Sequence, residues 1–226
     1  MIYRPLFDRA APNRRPVQAG IIGTGHYATA ILTQSRSIPA LDVPVVADVN
    51  VDAARHALHL AGWSDAQMTV CDTENAARAA LQAGLRVIVP DASLMMALPL
   101  EIIAEATGIA AAGALHAREA IKHGKHVAMI TKETDAAVGP ILKRKADAAG
   151  LVYTAVDGDQ HGLLMGLVSW ARELGLEIIC GGKALEFDVI YDASKGIVTC
   201  DGAERPAGGV FGPAAVKAAA EASRIR

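Results

Sequence analysis

The chain is poor in aromatic residues: Phe, Trp and Tyr make up 4% of its 226 positions. Its core must therefore be built from Ala, Val, Ile and Leu, which suits layered α/β packing and disfavours an aromatic-rich β-sandwich. Cysteine is scarce too. Cys71, Cys180 and Cys200 are an odd number with no C-x-x-C spacing, which excludes a disulfide framework and a zinc ligand set. Ordinary buried or half-buried thiols are expected. No excess of one charge exists: 22 Lys and Arg stand against 24 Asp and Glu, a formal net charge of −2. The broad basic field that draws nucleic acid or an acidic membrane is missing. The Arg14-Arg15 pair lies in a proline-punctuated N-terminal stretch expected to be loose. No apolar run reaches the roughly 18–20 residues that span a bilayer. Charges and prolines stand at the N-terminus where a signal peptide would need an apolar stretch. These absences predict a cytoplasmic protein with neither nucleic-acid nor membrane partners.

What is present is apolar bulk, 52% of residues, in a chain long enough for a sizeable core. It is organised around the stretch GIIGTGHYATA, Gly20 to Ala30. Residues 19–22 read as a short apolar strand, Gly23-Thr24-Gly25 as a turn, and residues 26–35 as a helix. A second apolar run, 43–47, ends at Asp48, and a helix is expected over 51–61. Strand, glycine turn, helix, strand is the opening unit of a nucleotide-binding sheet. Residues 62–72 read as loop. Further helices are expected over 73–83, 93–98, 111–123 and 137–149, and strands over 86–89, 101–106, 126–130 and 152–156. The alternation predicts a doubly wound parallel (Rossmann) sheet covered on both faces, over residues 17–157. In such sheets ligands bind beyond the carboxyl ends of the strands, so the turns after Ile22, Ala47, Ala106, Ile130 and Val156 should share one functional edge. From 158 to 226 a short second domain is expected, with a helix over 163–174, a strand over 177–180, a loop-rich stretch over 184–212 and a terminal Ala-rich helix.

The turn carries the first chemistry. Gly23 permits a tight turn, Gly25 leaves room for a pyrophosphate against the backbone, and Ala28 keeps the helix close to the strand. Thr24, His26 and Tyr27 fill the rest of the turn and the helix start, whose amides and dipole favour phosphate. Asp48, at the second strand's end, can accept hydrogen bonds from adenosine ribose hydroxyls and would repel a 2′-phosphate. That favours NAD over NADP, although Asn50 and Arg55 stand close by. Asp42 has rival spacing but precedes the apolar run. Thr107-Gly108 closes a strand expected near the nicotinamide half. Lys132, after the strand 126–130, could polarise an oxygen or move its proton. Asp157, Asp159 and His161, with Gln160, form the densest polar cluster and suit a substrate or metal pocket; Asp157 or Asp159 could equally cap a helix. His56 and His59 stand three apart on one helix without a third metal ligand. His116, His123 and His126 are assigned to helix surface and to the start of a strand.

Four stretches, GIIGTGHYATA, EIIAEATG, AIKHGKHVAMITKETDAAVGP and LVYTAVDGDQHG, occur in an order that resembles the homoserine dehydrogenase-like NAD(P)-dependent oxidoreductases, nearest to their deoxyxylulose phosphate reductoisomerase-like branch. The resemblance covers about residues 17–188. It implies a cofactor-binding Rossmann domain followed by a domain for catalysis and dimerisation, and hence a homodimer with a small-molecule substrate. In homoserine dehydrogenases an Asn-Lys pair follows the GKHV strand. Here the pair is Thr131-Lys132, so the lysine is kept and the asparagine is not. Family members are considerably longer, so the chain is expected to be a fragment or a compact variant. Hydride transfer to or from a small polar hydroxy or carbonyl compound is the activity implied. A nucleotide-binding module without turnover is the alternative. A reductoisomerase, which would also need a divalent metal, is the third.

Overall fold

The computed structural model describes residues 15–156, 160–181, 189–200 and 202–207. The chain divides into two compact units, with the division between Asp157 and Gly158. In the first unit, strands β1 (Val17–Ile22), β2 (Leu41–Ala47), β3 (Met68–Val70), β4 (Arg86–Val89), β5 (Ile102–Glu105), β6 (His126–Met129) and β7 (Tyr153–Ala155) alternate with helices. The helices are α1 (His26–Ser35), α2 (Val51–Leu60), α3 (Glu74–Gln82), α4 (Ala92–Met96), α5 (Ala110–Lys122) and α6 (Lys132–Ala148). The seven strands form one sheet in the order β3-β4-β2-β1-β5-β6-β7, and every pairing is parallel. All the strand ends therefore lie on one edge. The order reverses at β1, which has β2 on one side and β5 on the other, and this reversal is where a doubly wound sheet opens a crevice.

The strands are apolar on both faces because both are covered. Successive residues of one strand enter different cores, as the two-residue period requires. Ile22, Val45, Val87 and Ile103 pack with Met95, Leu98 and Leu142, whereas Ile21, Val46, Ile88 and Ala104 pack with Leu32 and Leu58. Tyr153 is the one aromatic among the buried core residues described, in keeping with the composition. Helix starts are capped by short polar side chains: Asn50 accepts from the Ala53 amide, Thr73 from Ala76 and Asp91 from Ser93.

Several expectations are corrected. The loop expected at 62–72 contains a 3-10 turn (Asp65–Gln67) and β3. That edge strand is too short to show a period and is held by its pairing to β4. Helix α6 begins at Lys132 rather than at 137 and carries Pro140 in its interior. Glu133 and Asp135 in its first turn favour the positive end of the helix dipole, which extends the helix back to the strand end. Asp42 lies inside β2 and pairs with Arg86, so it is a structural ion-pair partner. Cys71 is buried, but Cys180 is exposed, contrary to the buried or half-buried thiol expected.

The second unit contains α7 (Gln160–Glu173) and an antiparallel meander of β8 (Val189–Asp192), β9 (Ile197–Cys200) and β10 (Ala203–Pro206). This meander replaces part of the loop expected over 184–212. Its first turn is set by Asp192, whose carboxylate accepts from the amides of Ser194 and Lys195 and from the Ser194 hydroxyl. Residues 177–180 are not a strand; among the described residues no strand pairs with the run, and Ile179 is exposed. The expected terminal helix lies outside the described residues. No helix among the described residues is long and apolar enough to cross a membrane.

Candidate functional site

At the reversal point the strand ends enclose a cavity of about 460 Å³. Its walls come from four turns. The β1 turn gives Gly23, Thr24 and Gly25. The β2 end gives Asp48 and Val49, the β4 end gives Pro90 and Asp91, and the β5 end with α5 gives Ala106, Thr107, Ile109, Ala112 and His116.

Gly23 has φ +88°, and a Cβ there would lie 2.8 Å from the Ala106 carbonyl oxygen. Both the backbone conformation and the close approach of the β5 turn require glycine. Gly25 differs: its φ is −66° and a Cβ would meet nothing within 4 Å. It is the N-cap of α1 and offers no side-chain cap, so the first amides of the helix face an open space of the kind a phosphate fills. Ala28 is buried on the inner face of α1. His26 and Tyr27 are exposed and are not among the cavity walls.

Asp48 ties the β1 turn to the β2 end. One carboxylate oxygen accepts from the Thr24 amide at 2.8 Å and from the Thr24 hydroxyl. The other accepts from the Asn50 amide at 2.9 Å. The two NADP-favouring neighbours are committed elsewhere. Asn50 caps α2, and Arg55 pairs with Asp65 at 3.0 Å.

On the other side of β1, the structure brings together a group that sequence reasoning missed. Glu105, the last residue of β5, has no solvent exposure. Its Oε1 accepts from the Thr107 hydroxyl at 2.7 Å and lies 3.2 Å from His116 Nδ1. Its Oε2 is buried without a hydrogen bond. Burial would raise this carboxyl, but the hydrogen bonds of His116, Thr131 and Thr107 and the charge of His116 outweigh it and hold the group below the ordinary glutamate range. Thr107 is turned inward onto this carboxylate while still lining the cavity, and its oxygen also receives the Ile109 amide at 3.2 Å. Gly108 is exposed. Its amide donates to the Thr131 hydroxyl oxygen at 3.0 Å, which couples the β5 and β6 turns. His116, placed by sequence on a helix surface, is half-buried and faces the cavity. The available sequence signal was the spacing from a strand-end acid to a histidine on the following helix, which alone cannot be told from chance.

Lys132 opens α6 directly after Thr131, at the same sheet edge, and its side chain is exposed. It is not among the cavity walls. Asp157 and Asp159 lie outside the described residues, and His161 lies in the first turn of α7 with its side chain outside the description. The histidine pair of α2 is not a metal pair: His59 uses Nδ1 on the Trp63 carbonyl at 3.0 Å and Nε2 on Asp65 at 3.2 Å. Among the described residues no group of three potential metal ligands occurs. A smaller hollow of about 350 Å³ includes Arg15, Arg78 and Arg86 in its walls, but these pair with Glu101, Glu74 and Asp42 respectively.

No family profile matches the chain. Over 68 residues it is 38% identical to the 1-deoxy-D-xylulose 5-phosphate reductoisomerase of Thermus thermophilus, a match covering 30% of this chain and 18% of that enzyme. Among solved structures, it is similar to the WlbA dehydrogenase of Chromobacterium violaceum, determined in complex with NADH and UDP-GlcNAcA. The TM-score is 0.52 and the identity 16%, over 72% of this chain and 41% of that one. It also matches a homoserine dehydrogenase of Thiobacillus denitrificans, with a TM-score of 0.46 and 20% identity over 62% of this chain and 29% of that one. The chain thus spans less than half the length of each of these proteins. The likeness to the WlbA dehydrogenase shows the doubly wound fold.

Proposed function

We propose that the chain is the dinucleotide-binding part of an NAD(P)-dependent oxidoreductase acting on a small polar hydroxy or carbonyl compound. The observation that carries this reading is the convergence of Gly23–Gly25, Asp48 and Thr107 on one cavity at the strand-order reversal. The residues fit the group. The open space over Gly25 and the amides of α1 suit a pyrophosphate, and Asp48 stands where a ribose diol would be held. Asp48 disfavours a 2′-phosphate, and Arg55, committed to Asp65, does not offset that, so NAD is the favoured cofactor. The dinucleotide, when bound, supplies the hydride acceptor or donor. Thr131 and Thr107 fix the turns on the β5 side, and Lys132 follows them as the candidate to polarise the substrate oxygen or exchange its proton. Asp157, Asp159 and His161 are proposed to face the substrate, and a homodimer is the proposed assembly.

Titration of the purified chain with NADH and NADPH, followed by nucleotide fluorescence, tests the reading. Binding of NADH in preference to NADPH is expected, and binding of neither would overturn it. A second reading, nucleotide binding without turnover, is favoured by one fact: Lys132 is absent from the cavity walls. Oxidation or reduction of any hydroxy acid, polyol or sugar phosphate by this chain alone would remove it.

A further inference from the structure

The Glu105–His116 pair has no place in the binding scheme above, and its surroundings assign it one. Glu105 is fully enclosed between the sheet and helices α5 and α6. A Cβ added at Gly113 of α5 would lie 2.9 Å from its Oε2 and against the Thr134 hydroxyl. An ionised carboxylate so enclosed, with one oxygen unbonded, is costly unless a positive charge stands beside it. The imidazole of His116 is that partner. Its Nδ1 is committed to Glu105 and fixes the ring, which leaves Nε2 as the atom free to serve a ligand.

The cavity wall shows what such a ligand needs. Among the described residues that line it, His116 is the one side chain able to carry a positive charge, while Asp48 and Asp91 bring negative ones. Asp48 is bonded to Thr24 and Asn50, and Asp91 caps α4. On the side of Glu105, β7 and α6 bring Tyr153 and Asp135, which bond each other at 2.9 Å. Lys132 and Glu133 at the start of α6, and His26 on α1, are exposed and do not line the cavity. A dinucleotide carries a diphosphate dianion into this space, and apart from backbone amides and the Thr24 and Thr107 hydroxyls the wall offers it one nitrogen donor side chain, the His116 imidazole.

Building on the dinucleotide reading, we propose that His116, its ring fixed by the buried Glu105 carboxylate, is a ligand-binding residue of the cavity that offers Nε2 to the anionic backbone of the cofactor.

The test is NADH affinity of the 226-residue chain, wild type against His116→Asn and His26→Asn. Wild type is expected to bind roughly tenfold more tightly than His116→Asn, the size of one hydrogen bond to a charged group. The asparagine amide can still donate to Glu105 but offers nothing to the ligand. Equal affinity in these two proteins overturns the proposal and leaves the dinucleotide reading standing. Absence of NADH binding by wild type overturns both. Affinity lost in His26→Asn but kept in His116→Asn overturns it in favour of the turn histidine. Should the His116 variant fold poorly, nitrogen NMR of the imidazoles in wild type decides. A ring protonated at Nδ1 whose Nε2 signal moves on NADH saturation is expected, and an unmoved His116 signal overturns the proposal.

Discussion

The amide and the hydroxyl of Thr24 both donate to the same carboxylate oxygen of Asp48. The acid that would select the ribose is thereby fastened to the turn that would hold the phosphates, so the two halves of an adenosine diphosphate site are set at a fixed separation before any ligand arrives. Preorganisation of this kind lowers the ordering cost of binding. Asp48→Ala removes the ribose acceptor, the repulsion of a 2′-phosphate and the tether together. NADH affinity should fall roughly tenfold, the worth of one to two charged hydrogen bonds, while NADPH affinity falls less or rises. Parallel fluorescence titrations measure the ratio, and an unchanged ratio would remove Asp48 from cofactor selection.

Gly23 and Gly25, two residues apart, should respond to alanine for different reasons and to different extents. At Gly23 the side chain would meet the Ala106 carbonyl in a backbone conformation that disfavours it, a cost of about 1–3 kcal/mol in stability. At Gly25 the added methyl meets open space, and the cost is only that of alanine for glycine at a helix N-cap, about 0.5–1 kcal/mol. NADH binding should nevertheless weaken, because the methyl occupies the proposed phosphate space. Urea unfolding together with NADH titration separates the two effects. A Gly25→Ala chain that binds NADH as wild type does would show that no phosphate sits there.

Gly113 predicts a reversal of sign. Replacing a glycine inside a helix by alanine ordinarily stabilises by about 1 kcal/mol. Here the methyl would enter the space of the Thr134 hydroxyl and Oε2 of Glu105, which is buried beneath it. Gly113→Ala should therefore destabilise the chain by about 1–3 kcal/mol, and a higher melting temperature would refute the close α5–α6 approach.

The parallel sheet was legible because its signals are local and repeated: apolar runs, Ala-rich helices, and a stop such as Gly84 or Gly124 after a helix. The glycine turn and Asp48 were legible for the same reason, since a strand end fixes their place. Edge strand β3 and the β8–β10 meander were not, because their pairing partners define them and their own patterns do not. Glu105 and His116 stood eleven residues apart in plain view. What makes them a pair is the packing of α5 onto β5, and a strand-end acid reads the same whether it is buried beneath a helix or faces solvent. The α6 boundary failed for a different reason: Glu133 and Asp135 mark the first turn of the folded helix, but acids just after a strand end read equally well as loop.

Glu105 also sets a direction for the pH dependence of stability. Its folded carboxyl is held below the ordinary glutamate range, so in the acid window beneath that range the unfolded chain binds a proton that the folded chain does not. Stability then rises with pH across the window. The contribution is complete above the ordinary value of about 4.3 and is lost as pH falls through the depressed folded value. Glu105→Gln removes this titration. It also leaves His116 without its anion, and at neutral pH it should cost roughly 1–3 kcal/mol. The difference in unfolding free energy between wild type and Glu105→Gln should shrink as the pH is lowered below the glutamate range, since protonation makes the wild-type group resemble its amide. Urea unfolding across that range measures it, and a difference that is constant with pH would mean that folding does not shift the Glu105 carboxyl.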